Sequence, residues 1–143
     1  MYLLLNIDQV KLNEIIFLDP SKNKIIRDGY FIKILYSNSY FTMNGIYIIF
    51  PICYSNLNRI NNKYKITFLY ENNKDVFEKI QTMEIDILNK LNIKKNPKYL
   101  FHEIFKNQTL LLSNIPKKSE EIILKISGIW ETNYEFGLSY KFM

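Results

Sequence analysis

The sequence predicts one mainly β domain, of the β-rich α+β class. Residues 134–142 alternate large apolar residues with small or charged ones, the period-2 pattern of a half-buried strand. The same alternation recurs in residues 30–36 and 63–70, each of which carries a lysine within the run. Residues 73–91 change to a period of 3.6, which predicts one long helix inserted between strands.

The first third of the chain predicts strands separated by short turns. Residues 1–7 and 10–18 read as strand-like, and the proline-bearing segment 19–24 predicts a turn after them. Asp28-Gly29 predicts a second turn, directly before the strand at 30–36.

Residues 37–39 then connect to a β-favouring stretch, residues 40–52, which Asn44-Gly45 interrupts. That dipeptide fits either a type I′ hairpin turn or a bulge within one long strand, and the bulge would suit a curved sheet. Residues 54–62 are rich in asparagine and predict a loop before the strand at 63–70.

Apolar residues of segment 73–91 fall within one arc, with Asp75 in the first turn and Lys90 in the last, as the helix dipole favours. A short second helix is predicted at residues 98–106. A strand is predicted at residues 109–115 and a turn at 116–119. The chain then ends in a predicted hairpin, whose strands at 121–130 and 134–142 are joined by residues 131–133.

Length and composition predict one compact domain over residues 1–143. A chain of 143 residues that is 48% hydrophobic can bury one core. No apolar run reaches the roughly 18 residues of a membrane span, and the first residues lack the features of a signal peptide. We therefore expect a soluble, intracellular protein without a membrane partner. Cys53 is the single cysteine and lies between apolar residues, which predicts a buried thiol in a reducing compartment.

The net charge of +5 and the pI of about 9.1 suggest a polyanionic partner. Another explanation stays open. Alanine is absent, arginine occurs only at positions 27 and 59, and the abundant residues are those with A/T-rich codons. The lysine excess is therefore also consistent with genome composition.

The chemistry of the chain predicts no enzyme, no cofactor and no metal site. His102 is the only histidine, which excludes a paired-imidazole zinc site within one chain, and we expect it partly buried on a helix. The four glycines stand apart, so no phosphate-binding loop is predicted. Glu131 and Glu135 flank the last hairpin, but acidic residues there are explained by solubility.

Lysines on the less apolar face of several predicted strands suggest a binding surface. Lys33, Lys65, Lys125 and Lys141 lie mid-strand, and Lys63 shares the face of Lys65. If the strands pair in one sheet, they form a band about 4.8 Å from strand to strand. The alternative for each lysine is a solvated outer position.

Aromatic residues near strand ends are candidate platforms for stacked bases. We expect Tyr36, Trp130 and Tyr134 to serve in this way, because a ring at a strand end or beside a turn can be half-exposed. Trp130 is the strongest candidate. The alternative is that its side chain packs in the core at the open edge of the hairpin.

A family resemblance adds to these patterns. Ile129-Trp130, a short turn, and then Phe136-Gly137-Leu138, Tyr140, Lys141 and Phe142 are similar to the final hairpin of OB-fold single-stranded DNA-binding proteins of large DNA viruses and related mobile elements. Residues 30–37 and 41–48 also resemble segments of such proteins. The resemblance implies an OB-fold-like curved barrel of about five strands with one long inserted helix and a short second helix. It also implies a location in the host cytoplasm, nucleus or virion.

The leading hypothesis is therefore sequence-tolerant single-stranded DNA binding in replication or repair, with RNA left open as the ligand. The alternative is a structural or assembly protein without enzymatic activity. Such a protein would form homo-oligomers through an exposed strand edge at residues 1–7 or 134–142.

Overall fold

The protein has a mainly β fold, as the sequence predicts. A computed structural model describes residues 3–116 and 121–143. Strands take up 45% of it and helical turns 26%. The strands are β1 (Leu5–Asn6), β2 (Ile15–Phe17), β3 (Ser21–Lys22), β4 (Tyr30–Ser37), β5 (Thr42–Met43), β6 (Ile46–Pro51), β7 (Tyr54–Ile60), β8 (Lys63–Phe68), β9 (Asn96–Pro97), β10 (Thr109–Leu112), β11 (Glu121–Glu131) and β12 (Glu135–Phe142).

The strands form one mixed, open sheet. Its main path runs β1-β6-β11-β12-β10-β8-β7, and β4 joins it through β11. The pairs β1/β6, β10/β12 and β9/β12 are parallel, and the other pairs are antiparallel. Over the residues the structure describes, β1 and β7 stand at the two ends of the path and do not pair with each other. Seven of the described strands have four or more residues, which already exceeds the expected five.

Both predicted helices are present. They are α1 (Lys74–Lys90) and α2 (Leu100–Asn107). Phe77 of α1 is fully buried and packs against Phe50 and Phe68 of the sheet, with ring centroids 5.5 and 4.8 Å apart. Phe101 of α2 likewise packs against the sheet, and its ring centroid lies 6.3 Å from that of Phe142 on β12. The two helices therefore cover one face of the sheet, and neither is long and apolar enough to cross a membrane within the described residues.

Asn44-Gly45 marks a change of strand partner, which differs from both sequence alternatives. β5, before the dipeptide, pairs with β4, whereas β6, after it, pairs with β11. Gly45 has a φ of 108°, and a Cβ there would lie 2.9 Å from the Ile126 carbonyl oxygen. Glycine is needed because the backbone is both left-handed and in close contact with β11.

The prediction of a loop at residues 54–62 is wrong, because most of that segment is β7. This strand pairs with β8 from Tyr54 to Ile60 and has no second partner among the described strands. Asparagine has a low strand propensity, but at an exposed end position backbone pairing with β8 outweighs it.

The N-terminal predictions are confirmed only in part. Within residues 10–18 the strand is limited to β2, and 3₁₀ turns occupy Ile7–Gln9 and Leu12–Glu14. β3 lies inside the segment 19–24 that was predicted as a turn. Most of the predicted turn at 116–119 lies outside the described residues.

Cys53 is exposed, so the expectation of a buried thiol is wrong. The Cys53 backbone lies in the connection between β6 and β7, where the Asn73 side chain binds it. The Cys53 N–H donates to Asn73 Oδ1 at 2.7 Å, and Asn73 Nδ2 donates to the Cys53 carbonyl at 2.8 Å. This pair of bonds fixes the backbone while leaving the side chain outside the core.

The closing hairpin is confirmed and organises the sheet. β11 and β12 pair in antiparallel register from Leu124↔Phe142 to Glu131↔Phe136, with an irregularity between Ile126 and Gly128. The first half of β11 pairs on its other side with β6, and the second half pairs with β4. This strand therefore fixes the registers of its three partners, β4, β6 and β12.

Candidate functional site

The sheet has two unlike faces. Leu124 and Ile126 of β11 are fully buried and point to the face that α1 and α2 cover. Successive side chains of a strand point to opposite faces, so Ile123 and Lys125 lie on the other side. After the irregularity Gly128 and Trp130 continue that side, since Ile129 is fully buried. We call the helix-covered side the inner face and the opposite side the outer face.

Three of the predicted lysines form one row across the outer face. Lys125 of β11 lies directly opposite Lys141 of β12. Leu112 pairs in parallel with Phe142, which places Leu111 beside Lys141, and Leu111 lies opposite Lys65 of β8. We call Lys125, Lys141, Leu111 and Lys65 the lysine row. Strands stand about 4.8 Å apart in the β11/β12 and β8/β10 pairs, whereas β10 and β12 pair at Leu112↔Phe142 alone.

The two other predicted lysines share this face. Lys33 of β4 lies opposite Gly128 of β11, and opposed residues of an antiparallel pair point to the same side. Lys63 lies two residues from Lys65 on β8 and therefore also points outward. All five sequence-predicted lysines thus lie on the outer face.

Lysine charge is not neutralised within the row. The ion pairs found among the described residues are Lys79–Asp8 and Lys95–Glu131, and neither involves a row lysine. The Lys125 ammonium lies 5.4 Å from the centre of the Tyr47 ring, a cation–π contact with the neighbouring strand. Lys125 and Lys141 therefore present like charges side by side, an arrangement that is unfavourable without an anion.

Trp130 lies on the same face, at the end of β11 away from the lysine row. Its indole packs against Gly137 of β12, where an added Cβ would lie 2.8 Å from Cζ2 of the ring. The side chain is half-buried and borders a cleft of about 490 Å³, together with Phe31, Ser139, Lys22 and Lys24 among others. The indole therefore has one side packed on backbone and borders a basic cleft.

Tyr134 occupies the tip of the β11–β12 hairpin and is 78% exposed. Its backbone is fixed, since the Tyr134 carbonyl accepts a hydrogen bond from the Asn96 N–H at 3.0 Å. The Tyr134 ring is thus exposed while its backbone is fixed by a hydrogen bond. This exposure is what the sequence predicted for a stacking platform.

Tyr36 is the one predicted stacking residue whose expected exposure is wrong. It lies on the inner side of β4 and is 1% exposed. Its hydroxyl accepts a hydrogen bond from the Lys11 N–H at 3.0 Å and donates to the Gln9 carbonyl at 3.4 Å. Burial raises the pKa of this phenol, and the nearby Glu14 adds to the rise. The ring belongs to the core because the N-terminal 3₁₀ segment closes over that end of β4.

Sequence reasoning missed three apolar residues of the outer face. Phe31 covers Gly128, where a Cβ would lie 2.6 Å from the ring. Tyr47 lies beside Lys125, and Leu111 is 50% exposed within the lysine row. The alternation of β4 places Phe31 on the same side as Lys33, a signal present in the sequence. Tyr47 and Leu111 could be assigned only once the strand pairing was known.

The residues with catalytic chemistry are dispersed. His102 is exposed on α2, so the expectation of partial burial is wrong, and its Nδ1 lies 3.5 Å from Gln81 Nε2. Over residues 3–116 and 121–143, no group of three His, Cys, Asp or Glu side chains is placed to hold a metal ion.

Glu84 is the fully buried acid among the described residues, and it has a structural partner. Its carboxylate accepts hydrogen bonds from the N–H groups of Leu100 at 2.8 Å and Phe101 at 3.3 Å, at the start of α2. Burial raises its pKa from 4.5 to about 7, against the lowering effect of these two bonds. The side chain thus joins α1 to the N-terminus of α2.

Comparison with known proteins gives no match. No family model, no curated protein and no solved structure is similar to this chain at a significant level.

Proposed function

We propose that the protein binds single-stranded nucleic acid, DNA in the first instance, across the outer face of its sheet. The lysine row, Lys33 and Lys63 would contact the phosphates. Trp130 and Tyr134 would stack on bases, with Phe31 beside the indole. Binding of this kind is tolerant of sequence because each base offers a ring face and each nucleotide a phosphate.

The observation that carries the proposal is the side-by-side placement of Lys125 and Lys141 in the row. Like charges directly opposite each other destabilise an antiparallel pair. An acidic partner within the described row would remove that cost, but the row holds Leu111 and a third lysine instead. A bound polyanion would neutralise these charges together, with release of its counterions.

The fold relationship expected from the sequence belongs to the same proposal. The hairpin ending in Tyr140-Lys141-Phe142 and the partner change at Gly45 are compatible with a sheet related to the OB-fold barrel. In such a fold the ligand would lie across the strands, and the lysine row also runs from strand to strand.

Binding can be measured by titrating a fluorescein-labelled oligothymidine with the protein and following anisotropy. Contacts from five lysines would give a slope of about −3.5 for log K against log salt, at about 0.7 per neutralised phosphate of a single strand. Trp130 is the only tryptophan, so quenching of its emission reports contact at the predicted platform. An unchanged anisotropy at low salt would contradict the proposal.

A second candidate is self-association through a strand edge. β7 is seven residues long and stands at one end of the sheet, with β8 as its partner among the described strands. Such an edge can pair with another copy. The predicted edge at residues 134–142 is confirmed only in part, because β12 pairs with β11 on one side and, on the other, with β9 and β10 at its two ends, which leaves residues 138–141 unpaired there among the described strands. The predicted edge at residues 1–7 persists in β1, which stands at the other end.

Light scattering separates the two candidates. A particle that is larger than a monomer at any salt concentration and ignores added oligonucleotide would favour assembly. A monomer that gains mass only with oligonucleotide would favour nucleic-acid binding.

A further inference from the structure

The sheet has an open seam between β10 and β12, next to the lysine row. β10 pairs with β8 along all four of its residues but with β12 only at Leu112↔Phe142. At its other end β12 pairs with β9, as far as Phe136↔Pro97. On this side of β12, residues 138–141 therefore have no paired strand within the described part of the chain. The seam opens there from the outer face toward α2.

A cleft of about 740 Å³ fills the seam. Its volume is in the range of about 300–1,000 Å³ that is typical of small-ligand sites. Lys63 and Lys141 lie on its outer side, and Ile104 of α2, Leu110 and Tyr140 line it from the inner side. The cleft thus combines two ammonium groups at its rim with apolar walls and one aromatic ring.

The aromatic wall is held in place. The Tyr140 ring contacts Phe101 of α2 and Phe142 of β12, with centroids 5.6 and 5.5 Å away. Burial raises the pKa of Tyr140, and the Glu84 carboxylate raises it further, so the phenol stays neutral at ordinary pH. A neutral ring clamped between two others is a fixed surface for a flat ligand.

We propose that the seam cleft takes one unstacked base of the bound strand, while its neighbouring phosphates contact Lys63 and Lys141. This inference rests on the proposed function and makes it more specific. The occupant is chosen on charge and shape, because a nucleotide joins an anion to a flat, largely apolar ring. A paired base could not leave its stack without melting, so the cleft gives a preference for single strands over duplex.

The test compares oligothymidine with an abasic oligomer of the same length and charge, by competition anisotropy on the full chain. The wild type should prefer oligothymidine by at least roughly 5-fold, the low end for one base stack, because the abasic oligomer loses the stacks on Trp130 and Tyr134 as well as the base in the cleft. Ile104→Trp fills the cleft and should reduce that preference at least about threefold, with binding of the abasic oligomer unchanged. Ile85→Trp, at a residue on α1 that is 40% exposed, is the matched control and should leave both affinities unchanged.

Trp130→Leu combined with Tyr134→Leu removes the two proposed stacking platforms and isolates the cleft. Some preference for oligothymidine should persist in this variant, and Ile104→Trp should still reduce it. Thr109→Trp, which also lines the cleft, serves if Ile104→Trp fails to fold by thermal melting.

The outcomes are distinguishable. Equal affinity of the wild type for both oligomers, or loss of all preference in the Trp130→Leu/Tyr134→Leu variant, would overturn the cleft proposal and leave phosphate binding intact. Failure to bind either oligomer at low salt would overturn the proposed function itself.

Discussion

The two faces of the sheet are built from the same strands but differ in what covers them. On β12, Phe142 is 3% exposed and packs on Phe101, while its neighbour Lys141 is exposed to solvent. On β11, Leu124 is fully buried, while Lys125 beside it joins the lysine row. A single step along the strand thus separates residues that stabilise the fold from residues that are available to a ligand.

This difference teaches that stability and binding can be changed separately. Inner-face side chains lie between the sheet and the helices, so truncating them leaves cavities. Outer-face side chains are bounded by solvent, so changing them costs little folding energy but alters the charge and shape of the surface.

The largest expected effect is on the inner face. Phe77 is fully buried against Phe50, Phe68 and Phe105. Phe77→Ala should lower the free energy of unfolding by about 3–5 kcal/mol, because the cavity cannot close. The measurement is urea denaturation followed by circular dichroism.

The matched change on the outer face is Leu111→Ala. Leu111 is half-exposed, so its truncation should cost less than about 1 kcal/mol. Equal losses for the two variants would contradict the assignment of one covered and one open face.

A smaller effect, dependent on pH, is expected at Glu84. Since burial raises its pKa to about 7, the folded chain binds this proton more tightly than the unfolded chain. The resulting stabilisation is present below pH 4.5 and is lost as pH rises through 7, by about 3 kcal/mol at most.

The Glu84→Gln side chain cannot titrate, so the variant should lack this pH-dependent contribution to the free energy of unfolding. The difference in free energy of unfolding between wild type and variant should therefore change between pH 4.5 and 8, in the direction that favours the variant at high pH. A difference that is constant over this range would show that Glu84 does not titrate there.

The smallest effects compare two aromatic residues on opposite faces. Trp130→Leu should weaken oligothymidine binding by about 1–3 kcal/mol, the value of one stacked base, with a modest change in stability. Tyr36→Phe removes a buried hydroxyl and should lower stability by about 1 kcal/mol without changing affinity. A loss of affinity with Tyr36→Phe, but none with Trp130→Leu, would contradict the assignment of the two rings.

The sequence predicted the strands that alternate clearly and the residues that follow from alternation. The hairpin of β11 and β12, β4, β8 and both helices were identified because their periodicity is strong. The outward direction of the five lysines also followed, since it depends only on which residues of each strand are apolar.

Pairing between distant segments could not be read from the sequence. The β11–β12 hairpin pairs Lys125 with Lys141, but the position of Lys65 relative to them depends on the parallel register of β10 and β12, which rests on one residue pair. β7 was missed because its pairing with β8, and not its own propensity, makes it a strand. Tyr36 was misassigned because a distant 3₁₀ segment supplies the partners of its hydroxyl.

The most direct test of the central claim reverses the charge of the lysine row. Lys65, Lys125 and Lys141 are changed together to glutamate, and the control changes Lys74, Lys94 and Lys106, which are exposed and lie outside the sheet. Affinity for oligothymidine is then measured at low salt, with folding checked by circular dichroism. The row variant should lose at least about 100-fold in affinity and most of its salt dependence, while the control, with the same net charge, retains the wild-type salt slope. Equal losses in the two variants would mean that net charge alone attracts the strand, and the outer face would then have no special role.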